Sequence, residues 1–383
     1  MSDNPIGRAL PILRALEKSG HDIQVMGFYT GDRTEIYDPY RGEIEPTAIQ
    51  TSVRPAELFP NIRRLAHAAD GDVIYAFKPL MTSFAPAYYA ARIIENRPLL
   101  LDIEDEHIYL DQVTGISDAY GKLVRAWNTG TSWKYTRLLQ LARRDVDATT
   151  VVSTVLQKRY GGTLLRHGPD ENIFDPDRNF GIKNKLRKKR GLPSEKKLAI
   201  FIGTPRAHKG LDTIAEALSR SELNDWEFVL VGPHKSKSTA HDEPVAYLQK
   251  RIPRRTHFLG PQDYKDVPEL LSLADAVPIP SKKTPFSRAQ IPAKLLDAMA
   301  MAKPIVASRI GDIPRILGKG DRGWLIEPDD PDSLADALKT IEKRPQEATK
   351  RGRRALSWYK ENASTSAISR KLQNIFKNIV RTY

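Results

Sequence analysis

The chain has 383 residues, 40% hydrophobic and 8% aromatic, with 60 Lys and Arg against 47 Asp and Glu for a net charge of +13. This length points to two domains, and the apolar content excludes wholesale disorder. The absence of cysteine excludes disulfides and thiolate metal sites, and no apolar run reaches the ~18 residues of a membrane span. The opening MSDNPIGRALPILRALEKSGH lacks the apolar core and cleavage site of a signal peptide, so the expected location is the cytoplasm. The positive charge fits an acidic partner (nucleotide phosphates, a nucleic acid or an anionic membrane face) or simply a solvated basic surface.

Apolar runs alternate with helical patterns along the chain, as in parallel α/β sheets. In the first half the pattern predicts a helix over 12–18, strands over 22–28 and 72–77, a helix over 83–95 and a strand over 98–102 ending in acids. A helical region over 118–144 follows, broken near Gly130, then strands over 148–153 and 164–168. The basic run KNKLRKKRGLPSEKK reads as a solvated helix stopped by Gly191 and Pro193. The second half restarts with the strand KLAIFIG, apolar throughout as in a sheet covered on both faces. Helices are expected over 210–218, 267–273, 292–301, 313–317 and 332–341, and most of 348–380 is expected to be helical. Strands are expected over 227–232, 257–260, AVPIPS, PIVAS and GWLIEP. Before the first helix there is only the loop SDNPIGR, where a doubly wound domain would have a strand. The expectation is an N-domain without its first strand, either because Met1 is an internal methionine or because the sheet has a central gap.

Ligands of open α/β sheets bind at the carboxyl ends of strands, so the residues that follow strands matter most. After IFIG comes TPRAHKG, which places Arg206 and Lys209 in a loop opening a helix. Helix-start amides already favour anions, and two cations added there suit a diphosphate; two exposed cations on an ordinary loop fit the same pattern. In QIPAKLLDAMA, Pro292 opens a helix that puts Lys294, Asp297 and Ala298 on roughly one face and Leu295, Leu296 and Met299 toward the core. Asp297 is placed to accept hydrogen bonds from a ribose diol, or to face solvent. LLLDIEDEH ends a strand with Asp102, Asp105 and His107, either catalytic polar groups or a solvated acidic loop. No G-x-S-x-G, G-x-G-x-x-G or nucleic-acid recognition motif is present.

Taken in order, GTPRAHKG, VGP, FLG, PS, PAKLLDAMAMAKPIVAS, GDIPRIL and GWLIEPDD resemble the C-terminal domain of the retaining glycosyltransferases of family 4, with the GT-B fold. The likeness is close from Lys197 to Leu338, continues weakly through LLRHGPDENIFDP and is weak over the N-terminal third. It implies two Rossmann-like doubly wound domains facing a cleft: an N-terminal acceptor-side domain over 1–170, a nucleotide-sugar domain over 171–360, and a C-terminal helix over 361–383 crossing back to the N-domain. It implies transfer of a sugar, with retention, from a UDP- or GDP-sugar to a glycan or lipid-linked acceptor, with no metal and no cofactor.

Arg206 and Lys209 match the family's diphosphate-binding cations. Asp297 matches the second acid of its E-x7-E motif, which binds the donor ribose. The first acid, which contacts the sugar, falls on Ala289, leaving Gln290 or Lys294 to supply that contact. The family's Gly-Arg is Gly203-Thr204 here. Gly7 and Arg8 correspond to its glycine-rich cleft loop, and Asp102, Asp105 and His107 to its catalytic strand end. Nucleic acid is not an expected partner; a peripheral contact of the basic segments with the inner face of an anionic membrane is. The alternatives are a non-catalytic sugar-nucleotide-binding protein and a GT-B nucleotide-sugar epimerase.

Overall fold

The computed structural model describes residues 6–29, 42, 44–105, 133–178, 181–233 and 239–380. The chain forms two compact units, Met1–His167 with Thr365–Tyr383, and Gly168–Ser364. Among the described residues no helix is long and apolar enough to cross a membrane.

The first unit contains α1 (Ile6–Lys18), β1 (Met26–Tyr29), β2 (Thr47–Gln50), α2 (Pro55–His67), β3 (Ile74–Phe77), α3 (Phe84–Tyr88), β4 (Leu99–Ile103), α4 (Trp133–Ala142), β5 (Ala148–Val151), α5 (Thr154–Tyr160) and β6 (Thr163–Leu164). All its strand pairs are parallel, in a two-stranded sheet β1-β2 and a four-stranded sheet β3-β4-β5-β6. Among the described residues no strand joins β1 to β3. Every residue of β4 is buried, as a central strand of an α/β sheet requires.

The second unit contains α6 (Lys183–Lys189), β7 (Lys197–Ile202), α7 (Leu211–Leu218), β8 (Trp226–Val231), α8 (Thr239–Arg251), β9 (Thr256–Gly260), α9 (Val267–Ser272), β10 (Val277–Ile279), α10 (Pro285–Ala289), α11 (Ala293–Ala300), β11 (Ile305–Ser308), α12 (Ile313–Ile316), β12 (Trp324–Ile326), α13 (Pro331–Lys343) and α14 (Pro345–Asn362). Two three-stranded parallel sheets, β7-β8-β9 and β10-β11-β12, meet through a parallel bridge between Ala199 and Ala276. The strand order is therefore β12-β11-β10-β7-β8-β9. The chain runs outward from β7 to β9, then returns to the other side of β7 with β10. The crevice between the carboxyl ends of β7 and β10 is the topological switch point, where doubly wound sheets bind ligands.

The last helix, α15 (Thr365–Val380), returns to the first unit as expected. Its Ile368, Leu372, Ile375 and Ile379 recur at helical spacing and form one core with Ile12, Ala15 and Leu16 of α1 and with Leu100 and Leu165. Tyr359 is fully buried, and its hydroxyl donates to the Pro169 carbonyl at 2.6 Å.

The structure adds elements the sequence pattern did not reveal: β2, α2, α5, α8 and α10. In α2 the buried Leu58, Ile62, Leu65 and Ala66 keep helical spacing, but Pro55 and Pro60 read as breakers in the bare sequence. In α8 Pro244 has the same effect. The basic helix α6 is not merely solvated. Arg187 is buried, donating to Asp275 and to the Leu273 carbonyl at 2.6 Å each, while Asp275 also accepts from the Leu198 amide. Part of the positive charge thus fastens α6 to the head of β7.

Candidate functional site

The second unit's switch point is built for close backbone approach. Gly203 ends β7 and Gly232 ends β8; a β-carbon on Gly232 would sit 2.5 Å from the Gly203 carbonyl oxygen. Gly210, in the left-handed region at φ +69°, presses against the Pro280 carbonyl, leaving no room for a side chain. This contact locks the loop after β7 to the end of β10, and the Lys282 amide donates to the His208 carbonyl at 2.9 Å. The Lys282 ammonium pairs with Asp212 and, at 3.4 Å, with Asp329. Thr284 and Ser287 form a capping box that starts α10.

Into this crevice the fold brings Arg206, Lys209, Lys294 and Asp297. Arg206 is exposed, just ahead of the single helical turn Ala207–Lys209. Lys209 folds back so that its Nζ donates to the Thr204 carbonyl at 2.7 Å; burial, then Arg206, pushes its ammonium down to about 8. Lys294, on the first turn of α11, has its Nζ 3.1 Å from the centroid of the Phe201 ring, with no solvent exposure and no hydrogen-bond partner. Burial, then Lys209, depresses it well below the ordinary lysine range. One turn further on, burial pushes the Asp297 carboxyl up to about 7, against the pull of Lys294. His208, packed edge-on against Phe286, is held down at about 4 by burial and then by Lys209, Arg206 and Lys294. The crevice therefore carries more buried cation than its acid can neutralise. Ala289 is buried at the end of α10, and Gln290 is half-buried beside it.

The first unit holds a different cluster. Arg8 is fully buried and grips Asp102 with two hydrogen bonds, Nε to Oδ1 at 3.0 Å and Nη2 to Oδ2 at 2.6 Å. Its Nη1 donates to the Leu165 carbonyl at 2.6 Å and lies 3.2 Å from Nδ1 of His167. Burial, then Arg8, holds the His167 pKa well down, so the ring is neutral and Nδ1 accepts. The Asp102 Oδ2 also accepts from Thr150 at 2.5 Å, and the Thr150 hydroxyl meets that of Tyr75 at 2.6 Å. Asp102 is thus enclosed and fully engaged as the anchor between β4, β5 and α1; Gly7, beside Arg8, is half-buried.

Beyond the end of β4, the Lys78 ammonium lies 3.1 Å from Asp105 and 3.3 Å from Glu104. Lys78 sits at φ +71°, a strained position for a non-glycine residue, held by its amide's 2.8 Å bond to the Asp102 carbonyl. Burial pushes Glu104 up to about 7. His107 lies outside the described residues. The sequence reading missed Lys78, Thr150 and His167, and passed over Glu104, one of the acids at the same strand end, in favour of Asp102 and Asp105. For Lys78 a signal was present, a Lys-Pro pair directly after a strand.

Residues 182–358 match the sequence profile described as Glycosyl transferases group 1. Through this unit the chain is similar to the glycosyl transferases of group 1. Among curated relatives, D-inositol 3-phosphate glycosyltransferase of Corynebacterium efficiens is 24% identical over 219 residues, 56% of this chain and 50% of the relative. N-acetyl-alpha-D-glucosaminyl L-malate synthase of Bacillus anthracis is 28% identical over 254 residues, 64% of each chain. The chain thus spans about half the length of the first and under two thirds of the second. Among solved structures, Anabaena HepE in complex with UDP-glucose superposes with a TM-score of 0.73 at 17% identity, covering 99% of this chain and 97% of the other. Sucrose-phosphate synthase from Thermosynechococcus elongatus gives 0.73 at 17% identity, over 98% and 93%. At such identities the likeness carries the fold: the chain has the GT-B fold, built from two Rossmann-like units.

Proposed function

We propose that the protein transfers a sugar from a nucleotide-diphospho-sugar to a glycan or lipid-linked acceptor, with retention at the anomeric carbon. The observation that carries this reading is the gathering of basic groups at the switch point: Lys209 and Lys294, both held below the ordinary lysine range by burial, with Arg206 at the rim and Asp297 as the nearby acid. Breaking the bond from an anomeric carbon to a diphosphate builds negative charge on the leaving group. Fixed cations that meet that charge lower the barrier. In this reading Arg206 and Lys209 hold the diphosphate, Asp297 takes the ribose diol, and Gln290 and Lys294 stand where a polar contact to the donor is needed. The Anabaena relative crystallised with UDP-glucose favours a UDP-sugar over a GDP-sugar as donor.

The division of labour we propose gives the donor to residues 171–360 and the acceptor to residues 1–170. Among the acids after β4, Asp105 and Glu104 are the candidates for contact with the reacting sugar, with His107 beyond them. Asp102 keeps the strand end in place through Arg8, which is also the part we propose for Gly7 and Arg8. The test is a melting-temperature screen of the chain with UDP, GDP, ADP and their sugar conjugates. A ligand at about a hundred times its dissociation constant adds ~2.7 kcal/mol of stability, which is an easily measured shift. The expected result is a shift with one nucleotide that is lost in Lys209→Ala and Asp297→Ala; no shift with any would overturn the donor reading.

A second reading rests on Ala289, which is buried where the family motif has its sugar-contacting acid: a protein that binds donor without turning it over. Acceptor-dependent release of nucleotide from a bound donor excludes it, and also excludes an epimerase, which needs no acceptor.

A further inference from the structure

A buried ammonium without a hydrogen bond is among the more costly arrangements in a fold, and proteins avoid it by pairing the charge or discharging it. Protonated, Lys294 Nζ would be such a group. It has no exposure and no partner, and it rests against the face of the Phe201 ring at 3.1 Å from the centroid. A β-carbon on Gly203 would lie 3.8 Å from it, so the amine stands over the backbone where β7 gives way to the loop of Arg206 and Lys209. The ionisable groups facing it are Lys209 and His208 from the loop after β7, with Arg206 beyond them, and Asp297 on its own helix. Asp297 is the single acid among these, and it accepts no hydrogen bond from Lys294. An apolar residue would fill the same space at no electrostatic cost.

We propose that Lys294 reads the donor's diphosphate, standing as an uncharged amine in the empty crevice and taking a proton from solvent when the diphosphate enters beside Gly203. The proposal rests on the donor reading above and deepens it, because binding of the nucleotide and uptake of a proton become one event. The balance is simple: the amine lone pair takes one proton from the buffer, and the new ammonium pairs with the incoming phosphate charge. A nucleoside monophosphate places less charge there and draws less of the proton. Because the amine is discharged until the anion arrives, the empty site avoids three adjacent positive charges, while the filled site gains a third cation against the leaving group.

The experiment is titration calorimetry of the full chain at about pH 8 in two buffers of different ionisation heat, with UDP, GDP and ADP each set against its monophosphate. The expected result for the native chain is uptake of a large part of one proton with the diphosphate that binds, and less with its monophosphate. Lys294→Met should lose about tenfold or more in diphosphate affinity, keep its monophosphate affinity and bind with clearly less uptake, what remains coming from Lys209. Lys294→Arg, always charged, should bind the diphosphate with no uptake through this position, and circular dichroism checks that both variants fold. Unchanged diphosphate affinity in Lys294→Met overturns this inference alone. Proton uptake that is undiminished in Lys294→Met also overturns it, and assigns the whole proton to Lys209. If the native chain binds no nucleoside diphosphate, the donor reading falls and this inference falls with it.

Discussion

Arg8 and Lys294 both bury a basic group, one in each unit, and their surroundings are opposite. The guanidinium of Arg8 makes two bonds to Asp102, one to a carbonyl, and meets a neutral histidine. The Nζ of Lys294 makes no hydrogen bond. A fully engaged buried charge fixes the fold around it, whereas a buried charge left unpaired marks a place completed by something else. By this contrast the Arg8 cluster is architecture, joining α1, β4, β5 and the end of the sheet, and the Lys294 cluster is what we propose as the receptor for an anion.

The contrast can be broken most forcefully at Arg8. Arg8→Met leaves Asp102 buried without its partner, and the expected loss is about 3–5 kcal/mol of unfolding free energy, read by urea denaturation. A loss under about 1 kcal/mol would make the pair incidental. At the other pole, Lys209→Ala should leave the urea midpoint nearly unchanged while turnover falls on the order of a hundredfold, because one fixed cation at the leaving group is worth ~3–4 kcal/mol of barrier. An unaltered rate would remove Lys209 from the proposed role. Lys294→Met should do the reverse of Arg8→Met: without ligand the variant should be more stable than the native chain by about 1 kcal/mol, since the unpaired polar atom is gone. A clear destabilisation would mean that the amine is engaged after all.

The smallest effect is a pH slope. The Asp297 carboxyl is raised from 3.8 to about 7 in the folded chain, so the fold binds that proton more tightly than the unfolded chain does. Its contribution is therefore full below about pH 4 and is lost as pH rises through about 7. Lys209, lowered from 10.5 to about 8, acts at the other end, its contribution being full above 10.5 and lost as pH falls through about 8. Asp297→Asn should flatten the stability profile between about pH 4 and 7 and leave the alkaline arm in place. A profile identical to the native one would show that the carboxyl titrates normally.

The second unit was largely legible in the sequence because its strands are short apolar runs, each followed by a loop whose Gly, Pro or Lys stands at a fixed distance. KLAIFIG-TPRAHKG and PAKLLDAMA give strand, loop, cations and acid in order, and the fold brings all four candidates to one crevice. The sequence could not show that Lys294 points at Phe201, since that depends on the β7–β10 switch, a contact between residues almost a hundred positions apart. The first unit was harder to read. Pro60 hides α2 in the bare pattern, and LLLDIEDEH reads as an acidic loop although Asp102 is wholly enclosed. Its partner Arg8 lies 94 positions away, and a buried ion pair leaves no periodic trace.

The most direct measurement is a crystal structure of the chain grown with the nucleoside diphosphate that shifts its melting temperature. The account predicts phosphate oxygens beside Gly203, within hydrogen-bond reach of the Nζ atoms of both Lys209 and Lys294, with the ribose hydroxyls on Asp297. A nucleotide seated elsewhere, or one seated here with Lys294 still parked on the Phe201 ring, would contradict it.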